Sequence, residues 1–256
     1  MRKTTYFLFA IFFLASCGKE ENEPPVENRM DISSCYVVSN NIQSENFSSP
    51  IGLYILSEDN TPYDDGLYYA SLVSGTWSIN APVYVTKKGL VYAYYPYRSD
   101  YELPLMAVNM SDQVDILYSK TSSAIAQGSS SLSIRLYHAL SQLTVSVENE
   151  EVSGISLQSP ITGKFDICSG GFSELVSGDV AASSGKLLIV PHSSTAEIKI
   201  SLKDGKEYTY SVSGMSFVAG ENYTYQFKLN ANREKLEITS FTIEDWINDK
   251  VHNDYL

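Results

Sequence analysis

The stretch from Leu132 to Val147, LSIRLYHALSQLTVSV, changes the parity of its apolar positions halfway along. Apolar side chains first occupy even positions and then odd positions: Leu132, Ile134, Leu136, Leu140, Leu143, Val145 and Val147. Alternation with period two indicates a strand with one buried face, and a slip of one residue turns the other face inward. We therefore expect either two strands joined within Ala139–Gln142 or one long strand bent there by a bulge.

Strand-like segments and turn signals continue on both sides of this stretch. No window shows a sustained apolar stripe with the 3.6-residue period of a helix. Short strands with frequent turns favour antiparallel sandwiches, and about seven of them fall on each side of Ser141. We predict an all-β chain with two tandem antiparallel β-sandwich domains, residues 31–141 and residues 142–256.

Two hairpins are predicted from local turn signals. Thr86–Gly89 separates the strand-like segments Trp77–Val85 and Leu90–Tyr95. The dipeptide Asp204-Gly205 predicts a two-residue loop with a type I′ turn, in which Gly205 has a positive φ.

A second change of parity lies near the end of the chain. Apolar residues alternate without a break over one segment, and then shift register in the next: Tyr223, Tyr225, Phe227 and Leu229, then Leu236 and Ile238, then Phe241 and Ile243. We expect two further strands here, the second with an irregularity between Ile238 and Phe241.

The start of the chain has the features of a targeting segment. A basic tripeptide precedes Tyr6–Leu14, an apolar run too short to span a bilayer. Leu14-Ala15-Ser16-Cys17 resembles a bacterial lipobox, which predicts a lipoprotein signal peptide at residues 1–16 and acyl chains, such as palmitate, on Cys17. An ordinary secretory signal with an accidental Cys is the alternative. Residues 17–30 are polar and acidic, and we predict that they form a disordered tether.

Composition and motifs argue against several functions. The net charge is −12 and no basic patch stands out, so nucleic acid is a poor candidate partner. No nucleophile elbow, phosphate loop, HExxH motif or zinc-type Cys/His spacing is present, so we predict no catalytic residues, no metal site and no cofactor. Cys35 and Cys168 are predicted to be free thiols, with a disulfide as the alternative. His138 is predicted to be buried and hydrogen-bonded rather than catalytic.

Two clusters of side chains leave a functional alternative open. The acidic loop residues Glu58, Asp59, Asp64 and Asp65 have carboxylates that calcium could use, but their spacing does not match an EF-hand, and a solvated loop is the simpler prediction. Tyr92, Tyr94, Tyr95 and Tyr97 could form a platform for sugar stacking or could pack a core; Tyr92 and Tyr94 are expected to share a face, with Tyr95 on the other.

In order along the chain, four segments resemble the fimbrillin family of Bacteroidetes, the subunits of type V pili. They are the lipobox at Cys17, the aromatic strand GLVYAYYPY at 89–97, the strand containing His138, Ala139 and Leu140, and the pair GENYTYQFKL at 220–229 and IEDW at 243–246. In the last pair, Tyr223 and Trp246 match the family pattern. The likeness covers nearly the whole chain.

This resemblance implies two transthyretin-like β-sandwich domains and export as a lipoprotein to the outer-membrane surface. It implies assembly with other pilin subunits by strand addition, after a trypsin-like protease cuts behind an arginine. Arg29 is the only arginine between Cys17 and the first predicted strand, so it is the candidate processing site.

Cutting at Arg29 would remove no strand, and the segment after Trp246 is short and polar. Both features fit a terminal subunit, a tip adhesin or an anchor, better than a repeating stalk subunit. The segment Leu236–Ile243 could instead swing out as a donor strand. A different function is a lipid-anchored surface protein that binds glycan or host protein and joins no pilus.

Overall fold

The computed structural model describes residues 29–39, 42–64, 66–128, 131–194, 197–212 and 214–246. Most of these residues lie in strands, and Met110–Asp112 forms a short 3-10 helix. The strands are β1 Asp31–Ser39, β2 Ile42–Asn46, β3 Ile51–Ser57, β4 Tyr68–Val73, β5 Thr76–Ile79, β6 Gly89–Tyr95, β7 Leu105–Asn109, β8 Leu117–Tyr118, β9 Ser123–Ile125, β10 Ser131–His138, β11 Ser141–Val147, β12 Val152–Asp166, β13 Gly171–Ala182, β14 Lys186–Ile189, β15 Ser193–Ser194, β16 Glu197–Leu202, β17 Glu207–Ser211, β18 Met215–Ser216, β19 Glu221–Leu229 and β20 Leu236–Asp245.

The first half of the chain forms one large sheet around a first core. Its strand order is β2-β1-β10-β8-β6-β3-β4-β5, with β9 paired to β6. β1 runs parallel to β10, and β3 runs antiparallel to both β4 and β6. Because β1 also approaches β5, the sheet curls over its own apolar side chains. The first core includes Leu53, Val91, Ile134 and Leu136, each buried to 2% exposure or less.

The second half forms two smaller sheets that face each other across a second core. One sheet has the order β14-β11-β19-β20, and the other has the order β13-β12-β16-β17, with β7 also paired to β12. β11 runs parallel to β19, whereas β19 and β20 form an antiparallel pair. Leu143, Ile200 and Phe227 meet in the second core. The all-β prediction is confirmed.

The parity change at Leu132–Val147 marks the passage between the two cores. β10 ends at His138 and β11 begins at Ser141, so the stretch is two strands and the single bulged strand is wrong. The even-numbered apolar residues of β10 lie in the first core. The odd-numbered ones of β11 lie in the second core. A slip of one residue therefore transfers the buried face from one core to the other.

Two features differ from the predicted domain limits. β7 lies in the first half of the sequence, yet it pairs with β12 and its Met106 and Val108 belong to the second core. At the N-terminal limit, Met30 belongs to the first core and is 3% exposed. The fold therefore begins before the end of the tether that was predicted at residues 17–30. The division into domains at residues 141 and 142 stays a prediction.

The hairpin predicted at Thr86–Gly89 is wrong. β5 pairs with β4, through a turn in which Ser74 and Gly75 both have positive φ, 51° and 83°. That geometry fits a type I′ turn and matches the twist of adjacent strands. β6 pairs instead with β3, and the segment before it buries Val83 and Val85 in the first core.

The hairpin at Asp204-Gly205 is confirmed, but its loop has three residues. β16 and β17 are antiparallel, Leu202 N–H donates to the Lys206 carbonyl at 2.9 Å, and Gly205 N–H donates to the Leu202 carbonyl at 3.0 Å. Gly205 has φ 82°, whereas Asp204 is not among the residues with positive φ. This is a type I turn followed by a left-handed glycine, the three-residue form of hairpin.

Candidate functional site

A buried histidine lies at the joint between the two cores. His138 ends β10 and stacks on Trp246, with ring centres 3.8 Å apart and planes inclined by 16°. Its Nδ1 lies 2.8 Å from Oδ2 of Asp115, and 1% of its side chain is exposed. His138 is therefore a buried and hydrogen-bonded residue, the simpler of the two roles predicted for it.

Backbone hydrogen bonds tie the joint to the end of β20. Ala139 N–H donates to the Ile116 carbonyl at 2.8 Å. Gly220 N–H donates to the Leu140 carbonyl at 2.8 Å, and Trp246 N–H donates to the Gly220 carbonyl at the same distance. These bonds hold two parts of the chain beside the start of β19: the residues just after β10, and Trp246, the last described residue.

Tyr223 belongs to the same region and is a core residue. It is 1% exposed, its hydroxyl lies 2.7 Å from the Ser216 carbonyl oxygen and 2.6 Å from Oε2 of Glu221, and it accepts the Val218 N–H at 2.9 Å. Burial, with the neighbouring Glu221, raises the pKa of Tyr223, so the hydroxyl stays protonated. The structure thus brings His138 and Trp246 into contact and places Tyr223 near them, in positions that organise packing.

The thiols and carboxylates do not form a reactive centre in the described part of the chain. Cys35 and Cys168 are free, which confirms that prediction, and burial raises their pKa to about 12 and about 11. Thiols with such values are unreactive at neutral pH. Within the described residues, no group of three or more His, Cys, Asp or Glu side chains is placed to hold a metal ion.

The acidic loop uses its carboxylates locally. Asp59 accepts the Thr61 hydroxyl at 2.7 Å, and Asp64 accepts the Gly66 N–H at 2.9 Å. Asp65 lies outside the described residues.

Arg29, the predicted processing site, is paired into the fold. It forms an antiparallel bridge with Tyr84, and its guanidinium carbon lies 5.4 Å from the centre of the Tyr84 ring. The next residue, Met30, donates its N–H to the Val83 carbonyl at 2.9 Å and is buried. A protease that cuts between Arg29 and Met30 in the folded protein must therefore first open this bridge. Cys17, the predicted lipidation site, lies outside the described residues.

An exposed apolar row on β20 is a feature that the sequence pattern did not reveal. Ile238, Phe241 and Ile243 stand opposite Phe227, Tyr225 and Tyr223 of β19. Cross-strand partners share a face of the sheet, so this row points to the core side. Yet Ile238, Phe241 and Ile243 are 43%, 38% and 48% exposed, whereas their partners are 1–3% exposed. We call Ile238, Phe241 and Ile243 the open flank.

The opposing sheet ends in a strand that is shorter than β20. β17 is the last strand of that sheet, it has five residues against ten in β20, and among the described residues it pairs with β16 alone. Its Tyr210 contacts Tyr225 and Phe227 of β19, with ring centres 5.6 Å and 4.9 Å apart. Thus β17 covers β19, and one edge of β17 is left without a strand partner among the described residues.

The four tyrosines for which a sugar platform and core packing were the two alternatives do not form one surface. Tyr95 packs edge-on against Phe47 beside the first core, while Tyr94 is 1% exposed on the other face of β6. Tyr92 and Tyr94 share one face of β6, as expected, because Tyr92 pairs with Tyr54 of β3 and Tyr94 pairs with Gly52. Tyr97 stacks on Tyr69 at 4.7 Å.

The fold and its joint define an all-β protein built from curled and stacked sheets in which most strand pairs are antiparallel and two, β1 with β10 and β11 with β19, are parallel. A family model described as fimbrillin-like matches residues 38–246, and the chain belongs to this family. The resemblance drawn from the sequence is thereby confirmed. The curated proteins contain no match to the chain. Among the described residues, no helix is long and apolar enough to cross a membrane.

Several solved structures share the fold at low sequence identity. A candidate cell adhesion protein from Bacteroides uniformis superposes with a TM-score of 0.67 at 17% identity, over 87% of this chain and all of that one. A candidate cell adhesion protein from Bacteroides ovatus gives 0.60 at 16% identity, over 87% and 98% of the two chains. A fimbrial protein from Bacteroides vulgatus gives 0.50 at 14% identity, over 86% and 100%.

Proposed function

We propose that this protein is a subunit of a surface fimbria, and that it joins a neighbouring subunit by strand addition at the open flank. The observation that carries the proposal is the exposed apolar row on the core side of β20, together with the edge of β17 that no described strand pairs with. In strand addition, main-chain hydrogen bonds provide affinity, and alternate side chains enter apolar pockets. Membership of the fimbrillin-like family supports assembly with other fimbrial subunits.

The incoming strand would complete the second core. It would pair with the free edge of β17 and lay every second side chain on Ile238, Phe241 and Ile243. Contiguous apolar surface of this kind marks interaction sites in soluble proteins. Burial of the three side chains would contribute favourable free energy at about 25 cal/mol per Å² of apolar area.

We further propose a terminal position in the fibre, preferably the tip. β1 begins after Arg29 and is paired on both sides, with β2 and β10. Cleavage behind Arg29 would therefore release the preceding segment without removing β1 or opening a groove in the first sheet. A tip subunit needs to accept a strand and need not donate one.

The proposed route to the surface begins with a lipid on Cys17. Acyl chains would hold the protein in the outer membrane until cleavage at Arg29 frees it, because each buried methylene contributes about 0.8 kcal/mol. Mass spectrometry of the N-terminal peptide from purified membranes tests this step. We expect diacylated or triacylated Cys17 as the first residue; an unmodified Cys17 still joined to Ser16 contradicts it.

Strand addition is tested by placing a charge on the open flank. Ile243→Lys should leave the monomer folded, because the side chain is 48% exposed, and should abolish incorporation into high-molecular-weight ladders and surface fibres. The matched control is Val176→Lys, a 59% exposed apolar residue of β13, which should assemble normally. Normal assembly of Ile243→Lys would contradict the proposal, and a wild-type protein found only as monomer would favour the surface-binding alternative.

The terminal position has its own test. Immunogold labelling should mark this subunit once, at a fibre end, and deletion of residues 247–256 should leave that labelling unchanged. Labelling along the whole fibre would rule out a terminal position. Arg29→Ala should remove any size difference between the membrane-bound and fibre-bound forms.

A further inference from the structure

A cleft of about 300 Å³ lies on the face of the first sheet that points away from the first core. Its floor is formed by β3 and β6, and its walls are residues 62–64 and 66–68 on one side and the loop at residues 96–104 on the other. Five tyrosines and one carboxylate line it: Tyr54, Tyr68, Tyr94, Tyr97, Tyr101 and Asp64. We call it the tyrosine cleft. A volume of this size is at the lower end of the range for small-molecule sites.

The floor of the tyrosine cleft depends on a glycine. Gly52 stands opposite Tyr94, and a Cβ at Gly52 would lie 2.0 Å from Cζ of the Tyr94 ring. The ring therefore lies directly on the backbone of β3, where any other residue would displace it. Tyr101 packs over Tyr94 with ring centres 6.3 Å apart, and Tyr97 is held by its stack on Tyr69. The aromatic surfaces are thus held in place before any ligand arrives.

The polar groups of the tyrosine cleft have spare hydrogen-bonding capacity. The Tyr68 hydroxyl donates to Oδ2 of Asp64 at 2.8 Å, whereas the hydroxyls of Tyr54, Tyr97 and Tyr101 have no hydrogen-bond partner among the described residues. Burial raises the pKa of Tyr54 and Tyr101, and burial with the Asp64 hydrogen bond raises the pKa of Tyr68 to about 12. The hydroxyls of Tyr54, Tyr68 and Tyr101 are consequently protonated donors at neutral pH, and each can also accept.

We propose that the tyrosine cleft binds a neutral saccharide unit. A pyranose ring offers an apolar C–H face to aromatic side chains and a rim of hydroxyls that donate and accept, which matches fixed tyrosine rings with free hydroxyls and a carboxylate acceptor. Asp64 in the cleft and the net charge of −12 disfavour an acidic sugar. This site lies on the first sheet and does not depend on strand addition at the open flank.

The test is saturation-transfer NMR on the intact chain. The probes are methyl β-galactoside, methyl α-mannoside, N-acetylglucosamine and, as the acidic comparison, N-acetylneuraminic acid. We expect saturation transfer to at least one neutral sugar and none to N-acetylneuraminic acid. The double variant Tyr97→Phe/Tyr101→Phe keeps both rings and should weaken binding about tenfold, because it removes two hydroxyl hydrogen bonds. Asp64→Asn should weaken binding to a similar degree.

The matched control is Tyr36→Phe, which removes a tyrosine hydroxyl on β1 outside the cleft and should bind like the wild type. Thermal unfolding of each variant establishes that the fold is intact. The proposal is overturned if no neutral sugar receives saturation, if the folded double variant binds as well as the wild type, or if N-acetylneuraminic acid binds more tightly than every neutral sugar.

Discussion

β19 and β20 are neighbours with the same apolar alternation and opposite environments. In β19, Tyr223, Tyr225 and Phe227 are buried, and in β20 their partners Ile238, Phe241 and Ile243 stay exposed on the same face. The difference arises in the opposing sheet, whose last strand, β17, has half the length of β20 and packs Tyr210 on β19. Alternation shows which side of a strand is apolar, but the length of the facing sheet decides whether that side is buried.

The largest contrast is expected between two phenylalanines, one in each strand. Phe227→Ala should lower the free energy of unfolding by about 3–5 kcal/mol, the usual cost of removing a buried aromatic ring. Phe241→Ala should cost under about half as much, because the ring is already 38% exposed in the monomer. Urea unfolding of the monomer measures both. Equal losses would show that β20 is covered in solution, against our account.

A second prediction concerns the contact that holds the end of β20 in place while the open flank is exposed. Trp246, just after β20, stacks on His138, whose Nδ1 is paired with Asp115. His138→Leu removes the stack and leaves the Asp115 carboxylate without its partner, so we expect a loss of about 1–3 kcal/mol. A loss under about 1 kcal/mol for His138→Leu in urea unfolding would mean that the joint does not anchor β20.

A third prediction concerns β17, the short last strand of the opposing sheet. Gly205 closes the β16–β17 hairpin with φ 82°, and a β-branched residue resists that conformation. Gly205→Val should destabilise by about 1–3 kcal/mol, with Gly128→Val, at φ 80° in a loop outside this hairpin, as a control for the backbone cost alone. Ligand-free thermal unfolding gives the values, and an unchanged Gly205→Val protein contradicts the assigned turn.

The smallest effect is expected at the irregularity of β20. Gln226 pairs with Ser240 and Phe227 pairs with Ile238, so Thr239 is the extra residue of a bulge. Deleting Thr239 restores a regular ladder and keeps Ile238 and Phe241 on one face of the strand. The deletion also removes one hydrogen bond, which the Thr239 hydroxyl donates to the Gln226 carbonyl. We expect a change under about 1.5 kcal/mol. Deleting Thr242, which is paired with Thr224, should cost more because it turns Phe241 to the other face.

Periodicity predicted much of the fold from local information. The strands from Leu132 to Val147, the alternation in β19 and the parity shift in β20 all follow from side-chain patterns. Pairing was harder, because which strands meet depends on the whole sheet: Thr86–Gly89 looked like a hairpin loop, while the Ser74-Gly75 turn joined β4 and β5.

The candidate sites could be predicted only in part. His138 and Trp246 were identified separately through the family resemblance, yet their stacking needs the joint of β10 with the end of β20. The open flank and the tyrosine cleft could not be predicted from the sequence, because each depends on residues that are distant in sequence. These are β17 and β20 for the flank, and Tyr54 and Tyr101 for the cleft. The contact of Gly52 with the Tyr94 ring likewise depends on the pairing of β3 with β6.

If strand addition occurs at the open flank, the flank becomes covered when the subunit enters a fibre. Cysteine labelling measures this directly, with Ile243→Cys on the flank and Val176→Cys on β13, both in a Cys168→Ala background. We expect a maleimide reagent to label both cysteines in the monomer, and in purified fibres to label position 176 but not position 243. Equal labelling of position 243 in monomer and fibre would contradict the account.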